Sequence, residues 1–172
     1  GRYYKLGWLE QYATRMMQRF YRRCTRLYAP SDCMVKILRA QEMAKDIRVW
    51  SRGVDLKSFT SNRRDMLWRQ AQGFHKSDVV ITFVGRLVLE KGLGVFADTL
   101  DELTRRGIPH KALIVGEGPE RDRFTARLPD AVFAGYLKGA DLARAYASSD
   151  IFFNASTKET FGNVTLEAMA SR

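Results

Sequence analysis

Apolar residues recur at helical spacing through the first part of the chain and predict one helix over residues 3–27. The apolar stripe of this helix comprises Leu9, Ala13, Met16, Phe20, Cys24 and Leu27. Arginines crowd the other side, at positions 15, 19, 22, 23 and 26. Two interpretations stay open: the stripe packs against the protein below a solvated basic face, or the helix lies against anionic lipid.

Shorter apolar runs predict two strands and one helix in the rest of this segment. The strands are expected at residues 27–30 and 47–50. Between them, Ser31 and Asp32 offer an N-cap for a helix that continues to about Ala40. Residues 51–62 have the Gly, Ser and Asp content of a connection, so we predict a domain boundary near residue 51.

Strands and helices then alternate along the remaining chain. The predicted strands cover residues 79–84, 112–115, 132–133 and 150–154. The predicted helices cover residues 62–72, a segment that ends at 106, residues 119–128, residues 141–147 and a segment from about 163. Strand–helix alternation with short turns predicts a parallel, doubly wound α/β sheet, whose ligands bind at the carboxyl ends of the strands.

Charged residues and glycines follow the predicted strands. Arg86 and Lys91 flank the turn after the first strand, where two cations either neutralise a diphosphate or are ordinary surface charge. The strand at 150–154 is expected to be buried and to lead, through a turn with a glycine, into a helix N-terminus near residue 163. The free backbone N–H groups of such a helix N-terminus bind anions.

Two carboxylates, Glu159 and Glu167, lie eight positions apart around that turn. Glu159 is expected in the loop and Glu167 on the helix, more than a turn from its start, so the two would face different parts of one elongated ligand. This placement argues against the paired acids of a glycoside hydrolase. The pair fits the hydroxyls of a sugar and of a ribose; the alternative is a loop acid and an exposed helix acid without a ligand.

The formal net charge of +10 is concentrated in residues 1–50, which hold eleven Lys or Arg and four Asp or Glu. A basic segment suggests an anionic neighbour, whether a phospholipid surface, a phosphorylated ligand or nucleic acid. No apolar run approaches the roughly 20 residues of a membrane-spanning helix, and the charged start lacks the apolar core of a signal peptide. Because it also lacks an initiator Met, the chain is expected to begin inside a longer one.

Cysteine and histidine residues predict no metal chemistry. Cys24 and Cys33 match no metal spacing, and we interpret them as reduced thiols of a cytosolic protein, with a disulfide as the alternative. His75 and His110 have no partners in motif spacing and are interpreted as surface or turn residues.

Four segments, in order, resemble one enzyme family. Residues 159–167 read Glu-Thr-Phe-Gly-Asn-Val-Thr-Leu-Glu, which resembles the E-x7-E motif of retaining glycosyltransferases with two Rossmann-like domains, the family-4 GT-B type. Residues 52–59, 84–92 and 115–119 resemble the entry to the donor domain, its phosphate-binding turn and the next turn. The resemblance covers residues 27–172 and is most similar, near 154–171, to enzymes that use GDP-mannose or UDP-sulfoquinovose on lipid-linked acceptors.

This resemblance implies a role for each candidate residue. Arg86 and Lys91 would hold the diphosphate of the donor, Glu167 the ribose hydroxyls, and Glu159 the transferred sugar as the catalytic residue. The remaining donor contacts would come from the turn at Tyr136, Leu137 and Lys138, which would touch the base, and from the backbone N–H groups of Phe161, Gly162, Asn163 and Val164. Family members transfer with retention and need no cofactor and no tightly bound metal. The cations and the helix dipole would ease departure of the nucleotide diphosphate.

The resemblance also implies an incomplete enzyme. Residues 1–50 would be the last part of the N-terminal acceptor domain, and residues 51–172 a donor domain that lacks its C-terminal strands. Such a piece is expected to be inactive alone and to bind a GDP- or UDP-linked donor weakly at best. The acceptor would be a glycan or a lipid, and the protein is expected in the cytoplasm, at the inner face of the membrane through its basic helix.

Two other function classes stay open. A nucleotide-sugar epimerase of the same architecture would lack the cation pair and the carboxylate pair together. A basic module that binds nucleotides or nucleic acid without catalysis would rest on the charge alone, and no recognised nucleic-acid motif supports it. We therefore expect no nucleic-acid partner.

Overall fold

The computed structural model describes residues 7–50, 53–156 and 162–172. The chain divides into two compact units, Gly1–Arg52 (unit 1) and Gly53–Arg172 (unit 2). Within the described residues, each unit has its own parallel sheet, with two strands in unit 1 and four in unit 2.

Unit 1 places one helix beside a small strand–helix–strand motif. Helix α1 spans Gly7–Tyr21, strand β1 Leu27–Ala29, helix α2 Asp32–Ala40 and strand β2 Ile47–Val49. The side chain of Ser31 caps α2 by accepting a hydrogen bond from the Met34 N–H. The strands β1 and β2 run parallel, and Ala29, Val35 and Ile47 form the buried core between them and α2.

Helix α1 ends six residues earlier than the apolar spacing predicts. The prediction that it continues to residue 27 is wrong because Leu27 is extended: its N–H donates to the Asp46 carbonyl at 2.9 Å, and it pairs with Ile47 in the sheet. Cys24 lies in the turn between α1 and β1. The predicted start at residue 3 lies outside the described residues.

Leu9, Ala13, Met16 and Phe20, the members of the apolar stripe that lie on α1, are exposed in the part of unit 1 that the structure describes. Met16 is 58% exposed and Phe20 66% exposed. The helix instead contacts the turn after α2 through polar groups, since Gln18 donates to the Gln41 carbonyl at 2.7 Å and Arg22 donates to the Glu42 carboxylate at 2.9 Å. The stripe therefore faces away from the part of unit 1 that the structure describes.

Unit 2 is a four-stranded sheet with helices on both faces. Its strands are β3 (Val80–Val84), β4 (Lys111–Val115), β5 (Val132–Gly135) and β6 (Ile151–Phe152). Its helices are α3 (Met66–Ala71), α4 (Leu93–Arg105), α5 (Arg121–Arg127), α6 (Gly139–Ala147) and α7 (Asn163–Ala170). The order β5-β4-β3-β6 is parallel throughout, which confirms the predicted fold class.

The helices bury both faces of this sheet. On one face Phe83 packs with Phe96 of α4 and Phe124 of α5, while on the other Leu113 packs with Phe74 and Ala145 of α6. Burial on both faces explains why β3 and β4 read as continuous apolar runs without alternation. Crossovers through helices α4, α5 and α6 return the chain so that successive strands run in the same direction, which brings the carboxyl ends of all four to one edge.

Helix α3 and strands β5 and β6 differ most from the predicted elements of unit 2. The helix predicted over 62–72 begins only at Met66, because Asp65 caps it by accepting from the Trp68 N–H at 2.9 Å, and a 3-10 turn covers Ser61–Arg63. Strand β5 is longer than expected and continues to Gly135. Strand β6 is shorter, and Ile151 is 47% exposed instead of buried, because β6 pairs only with β3 among the described strands.

An ion pair between a fully buried arginine and a partly exposed aspartate fixes the amino-terminal end of the sheet. Arg69 of α3 is 0% exposed and donates to the Asp150 carboxylate at 3.0 Å, to the Ser148 carbonyl and to the Asp78 carbonyl. Asp150 also accepts from the Val80 N–H at 2.8 Å and from Arg64 at 2.7 Å. This one carboxylate therefore joins α3, β3 and the start of β6.

Candidate functional site

Unit 2 contains a cavity of 740 Å³ at the carboxyl ends of its strands. The lining residues come from the loop before α3, from the turns after β3, β4 and β5, and from α6 and α7. They are Asp55, Ser58, Phe59, Val84, Gly85, Arg86, Val115, Gly116, Glu117, Tyr136, Leu137, Lys138, Gly139, Leu142, Val164 and Glu167. A cavity of this size accommodates a small organic ligand.

The floor of this cavity depends on the close approach of two glycine turns. Gly116 has φ +138°, and a Cβ atom at this position would overlap the Gly85 carbonyl oxygen. The Gly85 N–H donates to the Val115 carbonyl at 3.0 Å, and the Gly116 N–H donates to the Gly135 carbonyl at 2.7 Å. The turns after β3, β4 and β5 are thus joined through their backbones, which only glycine permits at position 116.

The two predicted cations occupy different places. Arg86 lines the cavity, is exposed, and lies 3.3 Å from the Glu90 carboxylate. An exposed ion pair at four-residue spacing stabilises the protein by only about 0.3–0.5 kcal/mol, so Arg86 can exchange this partner for an anionic ligand. Lys91 lies at the end of the 3-10 turn Leu89–Lys91, is half-buried, and is not among the residues that line the cavity.

Glu167 lines the cavity from the second turn of α7 and is half-buried. The Tyr146 hydroxyl donates to its Oε2 atom at 3.3 Å. Burial raises the pKa of the Glu167 carboxyl, whereas the hydrogen bond from Tyr146 acts in the opposite direction. Burial, followed by the charge of Glu167, raises the pKa of Tyr146, so this tyrosine is a neutral donor.

The N-terminus of α7 meets the cavity at one residue. Gly162 is the N-cap with φ +65°, and its carbonyl accepts from the N–H groups of Thr165 and Leu166. Val164 lines the cavity, while Gly162 and Asn163 do not. Asn154, after β6, donates to the Thr165 hydroxyl at 2.9 Å and thereby fixes the start of the helix.

Two predicted site residues lie outside the described residues, namely Glu159 and Phe161. All three residues of the turn predicted to touch a base line the cavity. Tyr136 and Lys138 are exposed, and Leu137 is half-buried against the core cluster that contains Leu113. The structure thus brings six predicted residues to one cavity: Arg86, Tyr136, Leu137, Lys138, Val164 and Glu167.

Asp55 and Glu117 also line this cavity, although neither belongs to the predicted site. Asp55 caps a turn by accepting from the Ser58 hydroxyl at 2.6 Å and from the Lys57 N–H at 3.0 Å. These hydrogen bonds lower the pKa of Asp55. Glu117 lines the cavity and forms an ion pair with Arg121 of α5. Both residues lie in segments of the family resemblance, residues 52–59 and 115–119, and this membership could have identified them as site residues.

The described residues contain no group of three or more His, Cys, Asp or Glu side chains that could hold a metal ion. Both cysteines are exposed free thiols, and His75 is exposed in a turn. Among the helices of the described residues, none is long and apolar enough to cross a bilayer.

Two protein-family models match parts of this chain. A family model described as glycosyl transferases group 1 matches residues 78–172, more than half of the chain. This chain belongs to the group 1 glycosyl transferases. A second model, described as glycosyltransferase family 4, matches residues 1–58 of the same glycosyl transferase chain.

Curated relatives of this glycosyl transferase chain are longer proteins. It is 38% identical over 148 residues to the GDP-mannose-dependent alpha-mannosyltransferase of Corynebacterium glutamicum, covering 86% of this chain and 34% of that protein. It is 36% identical to the protein of the same name from Mycolicibacterium smegmatis, covering 98% and 43%. It is 34% identical to the sulfoquinovosyl transferase of Arabidopsis thaliana, covering 98% and 33%. The chain thus spans 33% to 43% of the length of these relatives.

Solved structures share the fold of this glycosyl transferase chain. Anabaena HepE in complex with UDP and glucose has a TM-score of 0.72 at 23% identity and covers 94% of this chain and 46% of HepE. Sucrose-phosphate synthase from Thermosynechococcus elongatus has a TM-score of 0.77 at 20% identity, with 94% and 42% covered. These likenesses confirm the Rossmann-like architecture, and the family match supports neither the epimerase nor the nucleic-acid alternative.

Proposed function

We propose that this chain is part of a retaining glycosyltransferase and that unit 2 binds its nucleotide diphosphate sugar donor. The observation that carries the proposal is the placement of Arg86 and Glu167 on the walls of one 740 Å³ cavity at the carboxyl ends of a parallel sheet. A cation fits a diphosphate, and a carboxylate accepts hydrogen bonds from the vicinal hydroxyls of a ribose. The family membership of the chain supports the same ligand class.

The proposal assigns the donor along the cavity. Arg86 holds the diphosphate and Glu167 holds the ribose hydroxyls. Lys91, which lies five positions after Arg86 and outside the cavity lining, is assigned as a second cation for the diphosphate through the family resemblance. The base lies on the turn at 136–138, where an exposed tyrosine and a lysine flank a half-buried leucine. The N–H of Val164 at the start of α7 adds a donor for the diphosphate.

In this proposal the transfer reaction requires the longer protein of which this chain is a part. Glu159 contacts the transferred hexosyl group, which passes with retention to a glycan or lipid-linked acceptor. Arg86 and the dipole of α7 stabilise the negative charge that develops on the leaving nucleotide diphosphate. Relatives named GDP-mannose-dependent alpha-mannosyltransferase support a GDP-linked donor, while the UDP complex of HepE keeps UDP as the second choice.

Calorimetric titration with GDP, UDP, GDP-mannose and UDP-glucose tests this donor site. We expect one nucleotide series to bind, and Arg86→Ala and Glu167→Ala each to weaken its binding about 10- to 100-fold, since each removes hydrogen bonds to a charged group. Arg106→Ala is the matched control, because Arg106 is exposed on the end of α4 and pairs with Glu102 outside the cavity. Equal affinities for Arg86→Ala, Glu167→Ala and the control would contradict the proposal.

We also propose that unit 1 binds an anionic membrane surface. The protein would then lie in the cytoplasm at the inner face of a membrane. The exposed apolar stripe of α1 supports this partner, because it faces away from the described part of unit 1. Arg15 and Arg19, both exposed, lie beside the stripe, as anionic headgroups require.

Co-sedimentation with lipid vesicles tests the membrane partner. We expect binding to vesicles with phosphatidylglycerol and a loss of about tenfold or more for Phe20→Ser, because burial of a Phe side chain contributes about 1.5–3 kcal/mol. Ile108→Ser, which removes an exposed apolar side chain from unit 2, is the control and should leave binding unchanged. The membrane partner is wrong if vesicles of phosphatidylcholine alone bind as tightly, or if both variants lose the same affinity.

A further inference from the structure

Tyr146 is the buried side chain that contacts the candidate ribose acid. It lies on α6, is 5% exposed, and donates its hydroxyl hydrogen to Glu167 Oε2 of α7 at 3.3 Å. Edge-to-face ring contacts hold the tyrosine on two sides, at 6.0 Å from Phe59 and 5.7 Å from Phe152. The loop at Phe59, strand β6 and helix α7 thus each contact this one side chain and restrain the direction in which its hydroxyl points.

A ribose-binding carboxylate has two requirements. It has to be ionised, because only the ionised form is an acceptor on both oxygens for two vicinal hydroxyls. It also has to be held in one rotamer, since a glutamate that moves freely loses side-chain entropy when the ligand binds. The bond from Tyr146 meets both requirements, because it favours the ionised form and restrains the Glu167 side chain. It uses one of the two acceptor positions of Oε2, so the other position of Oε2 and both positions of Oε1 remain for the two hydroxyls.

From this geometry we infer that Tyr146 is a positioning residue, which holds Glu167 ready to accept the ribose hydroxyls of a nucleotide sugar. The inference rests on the proposed function and adds a residue that lies outside the set lining the cavity. The electrostatics of Glu167 agree with this role. Burial raises the pKa of its carboxyl, and the hydrogen bond from Tyr146 lowers that pKa and so favours the ionised form.

The other groups around the cavity do not replace this contact. Its remaining charged lining residues are Asp55, Arg86, Glu117 and Lys138. Among the described residues, Arg86 is bonded to Glu90, Glu117 is paired with Arg121, and Asp55 accepts from its own turn. Within the same residues, Tyr146 is the group that donates a side-chain hydrogen bond to the Glu167 carboxylate.

The Tyr146→Phe variant of the full chain tests the inference by two measurements. The first is the titration of the Glu167 carboxyl by carbon-13 NMR without ligand; we expect its pKa to be higher in the variant, because the donor that favours the ionised form is gone. The second is the affinity for GDP-mannose and UDP-glucose as a function of pH. We expect about a tenfold loss at neutral pH, and the acid limb of the affinity profile should move to higher pH.

The sign of the pH effect follows from the ionised form being the binding form. Affinity falls as the pH falls through the pKa of Glu167, so a higher pKa in the variant brings this loss nearer to neutrality. A merely structural role of the ring would lower stability and affinity at every pH without moving the profile. Urea unfolding of the variant separates the two cases, since phenylalanine keeps both ring contacts.

Tyr28→Phe is the matched control, because Tyr28 is an exposed tyrosine of unit 1, and it should leave the Glu167 titration unchanged. An unchanged Glu167 pKa in Tyr146→Phe overturns the inference, and so does a loss of affinity that is the same at all pH values. Should the wild-type chain bind neither nucleotide sugar, the donor proposal fails, while the NMR titration still decides whether Tyr146 sets the ionisation of Glu167.

Discussion

Asp150→Ala is expected to lower the free energy of unfolding of unit 2 by about 3 kcal/mol, the lower end of the loss when a buried charge is left without its partner, since the Asp150 side chain is itself 27% exposed. Arg69 is 0% exposed, so its guanidinium would remain in the interior without a countercharge. The Val80 N–H would lose its acceptor, and Arg64 would lose its bond of 2.7 Å. Three elements would then separate from one another at the amino-terminal end of the sheet.

Urea unfolding, followed by the NMR signals of unit 2 amides, measures this loss. Asp98→Ala is the matched control: Asp98 pairs with Arg127 at an exposed position, where an ion pair is worth about 0–1 kcal/mol. If both variants lost the same stability, the Arg69–Asp150 pair would be no more important than a surface pair, and the account of the buried cluster would be wrong.

Gly116→Ala is expected to destabilise unit 2 by about 3 kcal/mol or more, since a strained φ alone costs about 1–3 kcal/mol and an overlap is added to it. The backbone has φ +138° at this position, which L-residues with a side chain rarely adopt. The new Cβ atom would overlap the Gly85 carbonyl oxygen, a backbone atom that cannot rotate away. Relief requires the turns after β3 and β4 to separate, which deforms the floor of the cavity.

Gly94→Ala provides a control with the opposite sign. Gly94 lies in the first turn of α4 and has no positive φ, and an added Cβ would meet no atom within 4 Å beyond its chain neighbours and the backbone of its own helix. Alanine at a helical glycine stabilises by up to about 1 kcal/mol. Urea unfolding should therefore move the two midpoints in opposite directions. Two alanine variants of equal stability would show that the backbone at Gly116 is not constrained.

Much of unit 2 could be predicted because its signals are local. The β-branched run at 79–84, the glycines after β3 and β4, and the start of the last helix at 163 correspond to observed elements within one or two residues. Helix α1 was overextended because its apolar spacing continues into Leu27, and only pairing with Ile47, twenty positions later, makes Leu27 extended. Local periodicity does not contain such a contact.

The residues of the candidate site also fall into those with a local sequence signal and those that depend on contacts distant in sequence. Arg86 and Glu167 were predictable because each follows a strand or a turn with a recognisable pattern. Tyr146 was not, since it reads as one more apolar position of α6 and acquires its polar contact only when α7 packs beside it. Phe59 was part of the resemblance, but its contact with Tyr146 was not predictable. The loop that contains Phe59 lies more than eighty positions before Tyr146 and has to fold back onto α6.

The strand order β5-β4-β3-β6 also has a consequence for the time course of folding. Strand β3 can pair with β4 as soon as both have been synthesised, but its other neighbour arrives last, and the bond from the Val80 N–H to Asp150 closes a loop of 70 residues. Closing a longer loop costs more chain entropy and is generally slower. Glu167 follows β6, so the wall it forms is completed after the rest of the sheet. A nucleotide held between Arg86 and Glu167 would therefore slow the release of the last-formed part of the unit.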